Sequence, residues 1–449
     1  MYDVALFILF VAGVHTALPL YWWTEFPVPY IACGVAMILT VPRIVPEMRR
    51  IKWRESWAVP AYLIVAVVIT LVAAQRQYLV YSLRGVGQLV YSVAIAVSLY
   101  WLVVKIPRAR LASVCLVLLL FLTAAAALEA LGPLKNIVDT AVGWLSPDWN
   151  YSLDERDIMM TGAVRSKAFA PEPSIAAGNI LWLSMLFLWS ARLGAFQTTL
   201  WMMLMAVGIW AIRSPLFLLT LVCGFVLLAA RRWADPTWRK LSSWRMVPVL
   251  LAILLNVAVL ASAFSIFYER AISIGEGEGS FIMRITGPFY YSVQFLRTHP
   301  VMGVGVVGDL RSLTGEIAKA YDAQGLYMRA EDSIEKSVSN RFALHLIYFG
   351  GLGSVVTLAL LMKASRLGHR FFWWVMFMQM ACFMMIGGGY NSAPMWCQFA
   401  SLLAVVRLKL AADREEIARA MRPRAAPRTG GAASRPMVPV AGPRAAFRA

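Results

Sequence analysis

Long apolar segments with almost no charged residues restrict the fold of this sequence more than any other feature. Each extends over about 17–22 residues, and a helix needs about 20 such residues to cross a hydrocarbon core of about 30 Å. Of the 449 residues, 60% are hydrophobic and 15% are charged, whereas soluble domains are about 25% charged. The segments therefore predict an all-α polytopic membrane protein, and they exclude a soluble enzyme, a coiled coil and a disordered chain.

The apolar segments predict about twelve membrane-spanning helices. We expect these spans at residues 4–22, 27–42, 57–74, 86–104, 111–131, 175–191, 196–212, 214–230, 246–267, 343–362, 371–388 and 392–408. We interpret the first span as a retained helix and not as a signal peptide, because MYDVALF contains Asp3 and no basic residue.

The net charge of +18 is explained by membrane topology and not by binding to nucleic acid. Lys and Arg cluster in short stretches at alternate ends of the predicted spans, at residues 43–54, 105–110, 192, 231–245, 363–370 and 407–448. Basic loops of this kind lie on the cytoplasmic side of membrane proteins. Both termini are thus predicted to be cytoplasmic, and two long polar segments lie on the outer side.

This topology divides the chain into six parts. We expect spans one to five at 1–131, an outer loop at 132–174, spans six to nine at 175–267, a large outer loop at 268–342 between the ninth and tenth spans, spans ten to twelve at 343–410, and a basic, disordered tail at 411–449. Long polar loops between helices usually carry function. The two outer loops are therefore the first place to look for a site.

Three arginines stand out on the predicted outer side: Arg165, Arg213 and Arg284. An ionisable side chain close to membrane depth is costly and indicates a functional site, although a single arginine can instead extend to the interface. Arginine is permanently charged and presents a planar fork that suits bidentate contacts with phosphate. Phosphate held at the outer face suggests a lipid-linked pyrophosphate.

No motif in the sequence predicts a metal or a cofactor. The four histidines are dispersed, the five cysteines lie within apolar segments, and neither HExxH nor a Walker motif occurs. Gly303, Gly305 and Gly308 form GxGxxG, but no strand–helix–strand unit surrounds them. We interpret these glycines as a tight turn whose backbone approaches a ligand or a helix.

The tenth predicted span begins at SNRFALHLIYFGGLG, residues 339–353. Ser339 or Asn340 is suited to cap the first turn of this helix. Gly350 and Gly353 lie within the helical pattern, where small residues permit close helix packing.

Taken together and in order, four stretches resemble the bacterial O-antigen polymerase/ligase superfamily of polytopic membrane glycosyltransferases. The stretches are RSKAFAPEPSIAA (165–177), IRSPLFLLTLVCGFVLLAARR (212–232), Arg284 with FLRTHPVMGVGVVG (295–308), and SNRFALHLIYFGGLG (339–353). They resemble, in turn, the family's helix-opening segment, its Ser-Arg helix, the Arg and Pro-x-x-Gly-x-Gly of its large periplasmic loop, and its closing element. The resemblance covers about residues 160–355.

The resemblance implies a metal-independent glycosyltransferase of the bacterial inner membrane, with its active face in the periplasm. Such an enzyme polymerises undecaprenyl-diphosphate-linked oligosaccharides into O-antigen, capsule or exopolysaccharide. Its partners would be this donor, a saccharide acceptor, membrane lipids, and export or chain-length-control proteins, without nucleic acid. The implied catalytic residues are Arg165, Arg213, Arg284 and Glu172, and the implied substrate contacts are Arg341, Asn340, Gly303 and Gly305.

Two parts of this assignment have alternatives. Glu172 is the first candidate for a general base, but a carboxylate at a helix start also fits the helix dipole, and Asp309 and Glu331 are further candidates. Ser339 stands where ligases usually carry a histidine, and His345 lies six residues further on. This departure favours a polymerase over a ligase. A transporter or flippase of lipid-linked sugars is the alternative from another class, although no internal repeat is visible.

Overall fold

The computed structural model describes residues 1–18, 30–50, 57–145, 158, 164–191, 194–214, 247, 251–259, 287–306, 309–322, 338, 340–365, 367, 371–373, 375–376 and 389–421. Within these ranges the regular structure is helical, and no strand occurs. The helices in chain order are α1 (Tyr2–Thr16), α2 (Ile31–Arg50), α3 (Ala58–Ala73), α4 (Leu79–Lys105), α5 (Arg108–Ala130), α6 (Lys135–Leu145), α7 (Pro173–Ser190), α8 (Ala195–Ile212), α9 (Gly287–Thr298), α10 (Thr314–Asp322), α11 (Arg341–Ser365) and α12 (Ala393–Met421).

Six helices in the described part of the chain are long and apolar enough to cross a membrane. They are α4 with the turn before it, α5, α7, α8, α11 and the first twenty residues of α12. Three shorter apolar helices, α1 to α3, occupy the positions of the first three predicted spans. The expected all-helical architecture is confirmed for the described residues, and the six apolar helices are consistent with a polytopic membrane protein.

Several sequence predictions fall on residues whose structure is not described. Apart from its first residue, the predicted span at 214–230 lies outside the described ranges, as do most of the spans at 246–267 and 371–388. Much of the predicted outer loop at 268–342 also lies outside them. Helix α12 continues to Met421, into the segment that we expected to be disordered, because AADREEIARAM is rich in strong helix formers.

Helix α7 forms the centre of the bundle. Every residue from 176 to 188 is buried, as expected for a helix that is apolar all round. Helix α5 packs against both α7 and α8, while α1 packs against α2, α4 and α7. Helix α3 packs against α11, which also contacts α9.

Basic side chains gather at one end of this bundle, which we call the basic end. Arg43 near the end of α2 pairs with Asp3 at the start of α1, at 3.4 Å. Lys105 at the end of α4 donates a hydrogen bond to the Arg43 carbonyl. Arg108 at the start of α5 donates to the Trp189 carbonyl near the end of α7, at 3.2 Å. These contacts place the starts of α1 and α5 beside the ends of α2, α4 and α7, so the two groups of helices run in opposite directions.

The opposite end, which we call the loop end, carries the last residues of α1, α3, α5 and α8 and the first residues of α2 and α7. His15 of α1 contacts the Ala168 carbonyl. Ser166 is hydrogen-bonded through its backbone to Ala211 of α8. Residues that the sequence predicts to be outer therefore meet at one end, away from the clustered basic residues.

Helix α11 is interrupted at Gly350, where the backbone has φ 68° and ψ −168°. Residues 300–306 run alongside this break and supply its missing hydrogen-bond partners. The four bonds are Val304 N to Ile347 O, Gly305 N to Tyr348 O, Leu352 N to Pro300 O and Gly353 N to Val301 O, at 3.0–3.1 Å. Irregular backbone inside a membrane protein is tolerated only where its polar groups are satisfied in this way.

The glycines of the predicted turn make this close approach possible. A Cβ atom on Gly303 would overlap the Ile347 carbonyl oxygen, and one on Gly305 would lie 2.6 Å from the Thr70 Cα. The Val306 N–H also donates to the Thr70 hydroxyl, at 2.9 Å. The turn thus approaches helices α11 and α3, which was one of the two interpretations; Gly308 lies outside the described residues.

Replacing Gly303 with alanine should destabilise the protein by about 2 kcal/mol or more, because the added methyl group meets backbone that cannot move freely. Gly350→Ala should cost at least as much, since its backbone conformation is almost exclusive to glycine. Thermal unfolding in detergent micelles measures both effects.

Gly315→Ala is the matched control, because a Cβ atom at Gly315 meets nothing within 4 Å. Its unfolding temperature should equal or exceed that of the wild type. If Gly303→Ala unfolded at the same temperature as Gly315→Ala, segment 300–306 would not be fastened in the break of α11.

Candidate functional site at the loop end

The segment that carries Arg165 has a strained backbone held by buried groups. Ala168 and Phe169 have positive φ values of 48° and 69°, which is costly for residues with side chains. The buried carboxylate of Glu129, near the end of α5, accepts hydrogen bonds from the backbone N–H groups of Lys167, at 3.0 Å, and Ala168, at 2.7 Å. His15 contacts the Ala168 carbonyl at 2.6 Å. The strain persists because several neighbours fix this conformation together.

A backbone hydrogen bond joins the segments that carry Arg165 and Arg213. The Ser166 N–H donates to the Ala211 carbonyl at 3.2 Å, so the backbones of the two arginines lie near one another. Arg213 ends α8 in the left-handed conformation, with φ 49°. Both residues are half-buried.

Lys167 links the same segment to α6. Its ammonium group pairs with Asp139 at 2.8 Å, and its side chain is 5% exposed, against 38% for Asp139. Nothing in the sequence predicted this pair, because α6 lies within a segment that we expected to be an irregular loop. The ion pair fixes the Arg165 segment to the helix that follows α5.

Arg341, the first residue of α11, is buried among helices and is 4% exposed. Its guanidinium group donates to the Gln398 carbonyl oxygen of α12, at 3.2 Å. The Asn340 side chain accepts from the N–H groups of Phe342 and Ala343, at 3.0 and 3.1 Å, so the expected N-cap is confirmed for Asn340. A buried cation therefore lies beside a capped helix start.

A narrow cavity of about 40 Å³ opens beside Arg341. Most of its lining residues are apolar, and Arg341, His345 and Tyr390 are those with charged or titratable side chains. The full lining is Arg341, Phe342, His345, Leu358, Leu361, Met376, Tyr390, Met395, Trp396 and Phe399. Gly303, Gly305, Arg165 and Arg213 do not line this cavity.

A chain of hydrogen bonds runs through the wall of the cavity. Tyr62 of α3 meets the Tyr390 hydroxyl at 2.7 Å, and Tyr390 meets His345 Nδ1 at 2.9 Å. His345 Nε2 lies 3.2 Å from the Thr357 hydroxyl, which itself donates to the Gly353 carbonyl at 2.8 Å.

The Thr357 bond suits one arrangement of protons along this chain. With the Thr357 proton on the Gly353 carbonyl, its oxygen accepts from His345, which corresponds to the tautomer with the imidazole proton on Nε2. Nδ1 then accepts the Tyr390 proton, and Tyr390 in turn accepts from Tyr62. All four side chains are buried, and the chain joins α3, α11 and the segment before α12.

Glu172 occupies the N-cap position of α7. Its carboxylate accepts a hydrogen bond from the Ser174 hydroxyl at 3.1 Å, and its side chain is half-buried. This position suits a carboxylate facing a helix start, and partial exposure also leaves it open to a substrate. Both interpretations of Glu172 fit this geometry.

The remaining candidates lie outside the described structure. Arg284 and Glu331 fall on residues that are not described, as do Ser339 and the side chain of Asp309. Among the residues that are described, no three His, Cys, Asp or Glu side chains form a group that could hold a metal ion.

Comparison of the chain with protein-family models, with curated proteins and with solved structures found no match. The function is therefore argued from the chemistry of the loop end. Sequence analysis had named Arg165, Arg213 and Arg341 as candidates. It missed Glu129 and the chain from Tyr62 to Thr357, because neither has a local sequence pattern.

Glu129→Ala should destabilise the protein by about 2–3 kcal/mol, because it leaves the backbone amides of Lys167 and Ala168 buried without their acceptor. Glu129→Gln keeps one acceptor oxygen and should cost about half as much. Chemical denaturation followed by tryptophan fluorescence measures the difference.

The comparison variant is Asp3→Asn, which removes a carboxylate from an exposed ion pair at the basic end. Exposed pairs contribute about 0–1 kcal/mol, so this variant should be close to the wild type. Equal stabilities for Glu129→Ala and Asp3→Asn would contradict the clamping role of Glu129.

Removal of the Tyr62 hydroxyl group and removal of the Tyr390 hydroxyl group should have coupled effects on the free energy of unfolding. Tyr62→Phe should cost about 1 kcal/mol and Tyr390→Phe about 2 kcal/mol, because the latter loses bonds on both sides. The double variant should cost less than the sum of the two, by about 0.5 kcal/mol or more. Exact additivity in a double-mutant cycle would rule out a continuous chain. Tyr290→Phe, at an exposed tyrosine, should have no measurable effect.

Proposed function

We propose that the protein is a glycosyltransferase that polymerises undecaprenyl-diphosphate-linked oligosaccharide repeat units at the periplasmic face of a bacterial inner membrane. The product would be a surface polysaccharide: O-antigen, capsule or exopolysaccharide. One observation carries this proposal: Arg165 and Arg213 lie near one another at the loop end of an apolar helical bundle, opposite the clustered basic residues.

The proposal includes the topology expected from the sequence, with twelve spans and both termini in the cytoplasm. The described helices alternate in direction, and their basic ends meet. This agrees with the positive-inside rule if the basic end is cytoplasmic. The loop end would then face the periplasm, where the lipid-linked donor is held.

In the proposed reaction, a hydroxyl group of the acceptor saccharide attacks the anomeric carbon of the donor. The bond between this carbon and the diphosphate oxygen breaks, and the lipid diphosphate leaves with the electron pair. The developing negative charge is stabilised by preorganised cations, for which we propose Arg165, Arg213 and Arg284. Glu172 would accept the proton of the attacking hydroxyl.

The cavity beside Arg341 adds support from binding chemistry. A cation at the edge of an apolar, aromatic-lined cavity complements an anionic group attached to an apolar chain. A volume of about 40 Å³ accommodates only a short part of such a chain. We therefore propose that Arg341 and Asn340 lie at the point where the lipid joins its diphosphate.

One observation favours a transporter of the same lipid-linked sugars. Helix α11 is discontinuous at Gly350, and broken helices form the binding sites of many transporters. In this protein, however, the exposed backbone groups of the break are occupied by residues 300–306. A break that is filled by the chain itself offers no site for a substrate, which favours the enzyme.

Reconstitution into vesicles with a lipid-linked repeat unit separates these functions. Growth of a polymer ladder on gels identifies a polymerase, while transfer to a lipid A core identifies a ligase. Movement of the labelled donor between leaflets without growth identifies a transporter and would overturn the proposal.

Arg213→Ala and Arg284→Ala should each lower the rate of polymer formation by about 10²–10³, because each removes a donor to developing charge. Arg→Lys at either position should retain only a small part of the activity, since lysine keeps the charge but loses the planar fork. The measurement is polymer length and yield in the reconstituted system, with membrane insertion checked by immunoblot.

Arg270→Ala provides the control, because Arg270 lies in the same predicted loop and outside every matched stretch. It should produce polymer at the wild-type level. Full activity of both Arg213→Ala and Arg284→Ala would eliminate the arginine mechanism even if polymerisation itself were established.

A further inference from the structure

Helix α6 has one apolar face packed against the protein and a second apolar face that is exposed. Val138 and Val142 are buried, on the side where α6 contacts α5. Ile137 is 56% exposed and Trp144 is 86% exposed. These two residues and Ala141 are spaced by four and three positions, so they lie on one face of the helix.

The connection to α5 places this face at the edge of the membrane. Helix α5 is one of the helices able to cross a bilayer, and it ends at Ala130, at the loop end. Only residues 131–134 separate it from α6, and four residues extend over at most about 14 Å. The headgroup region adds about 5–8 Å on each side of the hydrocarbon core. Helix α6 therefore begins within or beside this region.

The composition of α6 matches the headgroup region. Tryptophan is enriched there because its ring is apolar while its N–H is polar. Lys135 and Asp139 occupy other sides of the helix, while Asn136 and Thr140 form the polar edge of the apolar face. A short helix with an apolar exposed face and a polar edge is the pattern of helices that lie in the plane of a membrane surface.

We propose that α6 is an interfacial anchor whose Ile137–Ala141–Trp144 face inserts into the lipid surface at the loop end. The bound partner is the boundary between lipid headgroups and acyl chains, and no activity of the protein is needed for this contact. Because Asp139 of α6 pairs with Lys167 at 2.8 Å, the anchor is joined directly to the strained segment that carries Arg165.

Spin labels on single introduced cysteines test the depth of each side of the helix. We would compare Ile137→Cys and Trp144→Cys with Asn136→Cys, an exposed position on the polar edge of the same helix. The full chain is reconstituted in vesicles of phosphatidylethanolamine and phosphatidylglycerol at 3:1. The unsubstituted protein, taken through the same labelling, gives the background from native cysteines, of which Cys33, Cys115 and Cys397 are buried.

Power saturation then compares collisions with oxygen, which partitions into lipid, and with a water-soluble nickel chelate. Labels at 137 and 144 should collide at least threefold more with oxygen relative to the chelate than the label at 136. Equal chelate access at all three positions would mean that the face is in water, which overturns the proposal. Low access to both reagents at 137 and 144, with spin–spin broadening that grows with protein density, would mean that a second copy covers the face, and this also overturns it.

Discussion

The need to satisfy backbone polar groups away from water governs this structure. In an apolar surrounding, an unpaired N–H or C=O costs several kcal/mol, so a break in a spanning helix must be repaired by something else. At Gly350 the repair comes from residues 300–306, which place their own N–H and C=O groups against the open turn of α11. The irregular backbone at residues 167–168 also needs partners, and the Glu129 carboxylate accepts hydrogen bonds from both of its N–H groups. Both irregular segments are fixed by hydrogen bonds to membrane helices.

This constraint also explains where glycine is needed. Gly303 and Gly350 face each other across the filled break, and a side chain on either would enter the backbone of its partner. Close contact and hydrogen bonding depend on each other here, because bonds of about 3.0 Å between the segments leave no room for a Cβ atom. The large predicted outer loop is thereby attached to α11 and, through Val306 and Thr70, to α3.

The sequence predicts the parts of the fold that follow from local composition. Apolar length identified the helices, and the Asn340 cap follows from one polar side chain at a helix start. The sequence did not predict α6, because its eleven residues are too few to cross a membrane and lie within a stretch that we expected to be an outer loop. It also gave no sign of the contact between Tyr62 and Tyr390, which are 328 positions apart. Such pairs depend on how helices pack, and hydropathy contains no information about rotation around a helix axis.

The same reasoning accounts for what sequence analysis recovered of the candidate site. Arginines are conspicuous in apolar surroundings, so Arg165 and Arg213 were named as candidates from the residues themselves, whereas Arg341 was named only through the family resemblance. The groups that hold them were missed, because a buried Glu129 near the end of an apolar helix resembles an ordinary interfacial carboxylate until its partners are known. Electrostatic catalysis requires cations that are already in place when charge develops. For the proposed function, the strain at Ala168 and Phe169 and the bonds from Glu129 and Ser166 therefore matter as much as the charge of Arg165 itself. A lysine or arginine on a freely moving loop would carry the same charge and would have to be ordered in every turnover.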